Sequence, residues 1–225
     1  MATKRAQVIF DMIKETVTVN QEQLTFLAEY KNHWEKWFQV ELATTLKRRN
    51  AKDITLENSA CRFDSRKKNT PSRVQNDFKT AQIDLVFRRK LESKGKFIGI
   101  ELKQTQSLQG IKSMLADVVK ISAIRRSDWP FRELYFVLFY YEDDCVRRKY
   151  GELLNDLRNN ETILTETMSF PGIDKLQCLV MYWESGASLE KMNIDSFKKW
   201  YSEIEGLMKK YELTKLAKGK TKGGN

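Results

Sequence analysis

The chain has 225 residues, 41% hydrophobic and 11% aromatic, enough apolar material to bury a core and too much for a disordered chain. Forty Lys and Arg against 30 Asp and Glu leave a net charge of +10 and a pI near 9.4, which favours a polyanionic partner, nucleic acid first. No apolar run nears the roughly 20 residues of a membrane span, Cys61, Cys145 and Cys178 are odd in number and far apart, and His33 is the only histidine, so a disulfide framework, a CxxC zinc knuckle and a histidine-rich metal site are excluded.

Reduced thiols fit a cytoplasmic protein. The opening MATKRAQVIF meets Asp11 and Lys14 before a signal-peptide apolar region can form, so no export is expected. In chain order, Val8 to Tyr30 reads as helical. Trp34 to about Arg49 is a sharper helix, with Trp34, Trp37, Phe38, Glu41, Leu42 and Leu46 on one face. A strand is expected around Leu56 to Phe63, then a basic loop from Arg62 to Arg73, where Pro71 blocks a helix. Gln82 to Arg88 and Lys96 to Lys103 alternate as strands around a hairpin turn, LESKG. Leu108 to Ser122 follows as a helix, and Glu133 to Tyr141 as a buried strand. Helix, strand and helix complete the chain over about Asp143 to Asn159, Gln177 to Trp183, and Ile194 to Tyr211. The order predicts an α/β fold with a mixed central sheet flanked by helices.

If the hairpin folds symmetrically about its turn, Asp84 lies opposite Glu101 on one sheet face, and Lys103 joins them two residues on, while Ile100 and Leu102 point into the core. Two carboxylates facing each other across a strand pair repel by roughly 0.2–1 kcal/mol, which a divalent cation would relieve. Oxygen donors without imidazole or thiolate select a hard ion such as Mg²⁺, with Mn²⁺ as substitute. Lys103 beside that ion would orient or deprotonate a water, or stabilise charge developing on a phosphate. Glu41, central on its apolar helix face, either reaches this site or rests at a solvated edge or against a basic side chain.

These residues carry a resemblance. Asp84 in AQIDLVF, followed after sixteen residues by Glu101-Leu102-Lys103 in FIGIELKQ, resembles the PD-(D/E)XK nuclease superfamily, and EKWFQVELATTL looks like its first core helix. A second Glu-x-Lys, Glu92-Ser93-Lys94, falls in the turn. Ile83 stands where the family pattern has proline. The resemblance covers roughly Trp34 to Tyr141 and implies a restriction-endonuclease-like core of α-β-β-β-α-β order. It also implies Asp84 and Glu101 as Mg²⁺ ligands with Glu41 as the helix acid, and Lys103 as the catalytic lysine. Phosphodiester hydrolysis follows, on DNA ahead of RNA, in a restriction or defence endonuclease. The alternative is a non-catalytic nucleic-acid-binding module of the same fold. A homodimer would suit double-strand cleavage.

On this reading residues 1–33 form an N-terminal helical extension, 34–213 the nuclease-like domain and 214–225 a basic tail. Arg62, Arg66, Lys67, Lys68 and Arg73 are the expected phosphate contacts, sequence-independent in kind. Gln104 is an assisting candidate for a water or phosphate. Asp117 and Lys120 read as a surface ion pair, and Trp129 and Phe131 as either base-stacking or core rings.

Overall fold

The computed structural model describes residues 3–29, 34–62, 80–90, 97–105, 113–115, 117, 131–142, 144–160, 163–173, 175–184 and 194–211. Thr3 opens the first helix, its Oγ1 accepting the Ala6 N–H at 3.1 Å. That helix, α1, spans Lys4–Val19, and Asn20 ends it. A second helix, α2, spans Gln21–Glu29, so the single helical stretch expected over Val8 to Tyr30 is broken once. Helix α3, Glu35–Arg48, closes in a Schellman motif. Ala51 N–H donates to Leu46 O and Asn50 N–H to Lys47 O, both at 3.0 Å, and Asn50 takes the required positive φ of 61°.

Six strands form one mixed sheet: β1 Lys52–Arg62, β2 Thr80–Arg88, β3 Phe97–Thr105, β4 Phe131–Tyr141, β5 Leu164–Ser169 and β6 Leu176–Glu184, in the order β1-β2-β3-β4-β6-β5. Helix α4, Asp144–Asn159, joins β4 to β5, and helix α5, Ile194–Lys210, follows β6. Among the described residues only β3 and β4 pair in parallel, which requires a crossover between them. Residues 113–115 and 117 of that crossover are helical. The expected α/β architecture with helices flanking a mixed sheet is therefore observed. Strand β5 is additional to the expected elements, and β1 begins four residues earlier than expected.

The pleat divides the core into two layers. Leu85, Phe87, Ile98, Ile100, Leu102, Tyr135, Val137 and Phe139 are buried in one cluster with Ile9, Phe10 and Ile13 of α1 and Phe38, Leu42 and Leu46 of α3. The N-terminal helices thus belong to the same core as the sheet, Phe10 packing edge-on to Tyr182 at 5.5 Å. The opposite face buries Val86, Leu134, Phe136 and Leu138 with Leu153, Leu154 and Leu157 of α4, Ile204 and Leu207 of α5, and Met114 and Leu115 of the crossover. With both faces covered, β4 reads FRELYFVLFYY and is buried along all but its last residue. Phe131 is fully buried, so it belongs to the core and stacks on no base.

At the end of the sheet where β4 begins, Glu133 has no solvent-exposed surface. Arg89 grips it with two hydrogen bonds, Nη1 to Oε1 at 2.5 Å and Nη2 to Oε2 at 2.7 Å, and Tyr135 OH donates to Oε2 at 2.9 Å. Arg89 Nη2 also donates to the Arg5 carbonyl at 3.3 Å, tying α1 to the sheet. A buried carboxylate is tolerated only when held in this way.

Candidate functional site

The β2/β3 ladder has the symmetric register expected from the turn: Leu85 faces Ile100, Val86 faces Gly99 and Phe87 faces Ile98. Continued by one rung, it sets Asp84 against Glu101. There the backbone pairing gives way to a side-chain bond, the Leu102 N–H donating to Asp84 Oδ2 at 2.7 Å. Strand parity places Asp84, Glu101 and Lys103 on the sheet surface that carries Val86 and Gly99, opposite the layer holding Leu85, Ile100 and Leu102.

Lys103 is the hub of this surface. Its Nζ lies 3.6 Å from Glu101 Oε1, 3.6 Å from Glu35 Oε1 and 3.3 Å from Asp117 Oδ2. Glu101 is 5% exposed, against 22% for the Lys103 side chain, so the acid is the deeper of the two. Burial alone would lower the Lys103 pKa, but Asp117, Glu101, Glu35 and Asp84 together outweigh it and hold the ammonium above the usual lysine range. The Asp84 pKa is raised as well, for a different reason. Burial pushes its carboxyl up to about 6; the Leu102 N–H and the Lys103 charge oppose this rise, and the Glu35 and Asp117 charges add to it.

Two members of the cluster differ from those expected. Glu41 is half-buried and makes no hydrogen bond or ion pair with Asp84, Glu101 or Lys103. Glu35, in the first turn of α3, occupies the position expected for the helix acid, accepting from the Gln104 N–H at 3.3 Å while facing Lys103. The first turn of α3 lies over the C-terminal end of β3, and the helix N-terminus favours a carboxylate there. Glu41, nearly two turns further on, has passed that end. Asp117 reaches from the crossover to Lys103; Lys120, its expected partner, lies outside the described residues. No helical periodicity marks either one, because their common partner lies on a strand.

Gln104 takes part through its backbone N–H. The backbone of Arg62 closes β1, whereas Arg66, Lys67, Lys68 and Arg73, with His33 and residues 214–225, lie outside the described residues. Among the described residues no three His, Cys, Asp or Glu side chains form a group able to hold a metal by themselves. The donor set nonetheless suits a hard cation. It is made of carboxylate oxygens only, and Mg²⁺ commonly takes one or two of these, with water and phosphate oxygens completing its shell. Among the described residues, moreover, four carboxylates gather around one ammonium. No family model, curated protein or solved structure matches the chain.

Proposed function

We propose that the protein is a metal-dependent nuclease of the PD-(D/E)XK type, hydrolysing phosphodiester bonds of nucleic acid, DNA ahead of RNA. The observation that carries this reading is the gathering of Glu101, Glu35 and Asp117 within 3.6 Å of Lys103 Nζ, with Asp84 on the adjoining strand and on the same sheet surface. The order α3-β1-β2-β3-crossover-β4, with β3 parallel to β4, is the α-β-β-β-α-β order that the resemblance implies and gives further support.

Asp84 and Glu101 would hold Mg²⁺, which when bound supplies a Lewis acid for the phosphate and lowers the pKa of a coordinated water. Asp84, with a pKa near 6, is ionised and able to ligate at neutral pH. Lys103, held as an ammonium by the surrounding carboxylates, would orient the attacking water and balance charge on the phosphate. Glu35 and Asp117 hold that ammonium beside Glu101. The overall charge of +10 draws the substrate in.

Plasmid nicking with Mg²⁺ and with EDTA tests the proposal. Wild type should cut only with the cation, and Lys103→Ala should lose about 100-fold or more, the usual scale for removing one charge-stabilising donor. Undiminished cutting by Lys103→Ala would remove the mechanism. A second reading, a nucleic-acid-binding module with the same fold, draws support from Lys103 itself, whose ammonium already pairs with three of the carboxylates among which a cation would sit. Absence of cutting by wild type with any divalent ion would favour it.

A further inference from the structure

One corner of the sheet gathers positive charge. Lys52 opens β1 directly opposite Arg88 of β2, and Arg89 and Lys90 follow Arg88 in sequence. The first turn of α1 joins them, since Arg89 Nη2 donates to the Arg5 carbonyl at 3.3 Å and Lys4 precedes Arg5. Asp53 neutralises Arg88, its Oδ2 lying 2.6 Å from Nη2, and Glu133 neutralises Arg89. Lys4, Lys52 and Lys90 are exposed, Arg5 is half-buried, and none of these four forms an ion pair with a described residue. Six cations against two carboxylates thus leave four positive charges in excess. The crowding is unfavourable by itself. Lys52 faces another cation across a strand pair, and Lys4 and Arg5 stand at the end of α1 where the helix dipole repels cations, with no acid in that turn. A bound polyanion would relieve these repulsions together.

We infer that this corner holds the sugar–phosphate backbone of a nucleic acid without reading its bases. The inference takes its ligand class from the reading above and gives that ligand a second anchoring point, away from the carboxylate cluster. Arg88 lies four residues beyond Asp84 on β2, about 13 Å along the strand. That is the rise of about four base pairs, so a duplex engaged at both places is longer than this. Lysine and arginine contacts to phosphates fix position and carry no sequence information. A lipid surface suits the corner less well, because a membrane-bound helix must offer its apolar face to the bilayer. Ile9, Phe10, Ile13 and Val17 of α1 are already buried in the core.

Anisotropy titrations of the full-length protein in EDTA against a fluorescently labelled DNA duplex of random sequence, repeated over a range of salt concentrations, test this. Lys52→Gln combined with Lys90→Gln should weaken binding about 8-fold per lost contact at about 0.1 M salt, and should flatten the log–log salt slope by about 0.9 per contact. Lys52→Arg with Lys90→Arg keeps the charge and should bind like wild type. Lys14→Gln with Lys209→Gln removes the same charge from exposed positions on α1 and α5 outside the corner, and should leave affinity and slope nearly unchanged. All four lysines are exposed, so their replacement leaves the core intact. Equal losses in the two Gln pairs would reduce the corner to its share of the overall charge. No loss in the first pair would assign it to an acidic protein or a lipid surface. Either result overturns the inference. The nuclease reading fails separately: DNA binding that needs Lys52 and Lys90, in a protein that cuts with no divalent ion, leaves the corner standing and the nuclease fallen. A cutting protein whose corner pair binds DNA as wild type does leaves the nuclease standing and the corner fallen.

Discussion

Replacing Asp84 by Asn should make the protein more stable while abolishing its cutting. The folded chain holds this carboxyl at about 6 against an ordinary value of 3.8, with burial the chief cause. A carboxyl whose folded pKa is raised stabilises the fold only while protonated. Its contribution is complete below pH 4 and is lost as pH climbs through 6. At about 1.4 kcal/mol per pKa unit, ionised Asp84 costs about 3 kcal/mol above pH 7. Asn imitates the protonated acid and its oxygen can still accept the Leu102 N–H, so Asp84→Asn should gain up to that amount, or about 6–12 °C in Tm for a domain of this size. Calorimetry of both proteins in EDTA from pH 4 to 8 reads the difference, which should be near zero at the acid end and widen through pH 6. Added Mg²⁺ should narrow it by stabilising wild type alone. A variant no more stable than wild type at pH 7.5, or a gap independent of pH, would refute the assignment of Asp84 as a destabilised, site-bound carboxylate.

Glu35→Gln should reduce nicking by roughly 10- to 100-fold, as loss of a supporting carboxylate commonly does, whereas Glu41→Gln should stay within about twofold; the reverse pattern would return the helix acid to Glu41. Arg89→Ala strands the fully buried Glu133 and should cost about 3 kcal/mol in urea unfolding, while the double replacement Arg89→Met with Glu133→Leu should recover most of it. Gly99→Ala would bring a methyl group 2.8 Å from Leu134 Cδ2 and 3.1 Å from Phe131 Cε1, and should lose about 1–3 kcal/mol in the same assay.

What can be read from the sequence follows the range of the interaction that fixes each feature. The hairpin register and the juxtaposition of Asp84, Glu101 and Lys103 depend on a short turn and a period-two pattern, both local. β4 is plain because an unbroken aromatic and β-branched run suits a strand covered on both sides. β5, LTETMS, is hidden because this short edge strand buries only Met168 and has little apolar alternation to show. The break at Asn20 depends on a cap, in which the Asn20 side-chain amide donates to Thr16 O at 2.8 Å, and helical periodicity alone does not reveal it. Glu35 and Asp117 are contacts of tertiary origin. Which acid of α3 meets Lys103 is settled by where the end of β3 falls along the helix, and no spacing within the helix contains that information.

The alternation of β2 and β3 has one more consequence. If the two strands slid past each other by a single step, one of them would have to turn over, carrying Asp84 or Glu101 into the oily layer beneath α1 and α3 and Leu85 or Ile100 out of it. Burying an unscreened charge is among the costliest errors a chain can make. The acids therefore serve as alignment pins for the sheet as well as for any guest it receives, and deleting both should loosen strand placement even in a molecule that no longer has chemistry to perform.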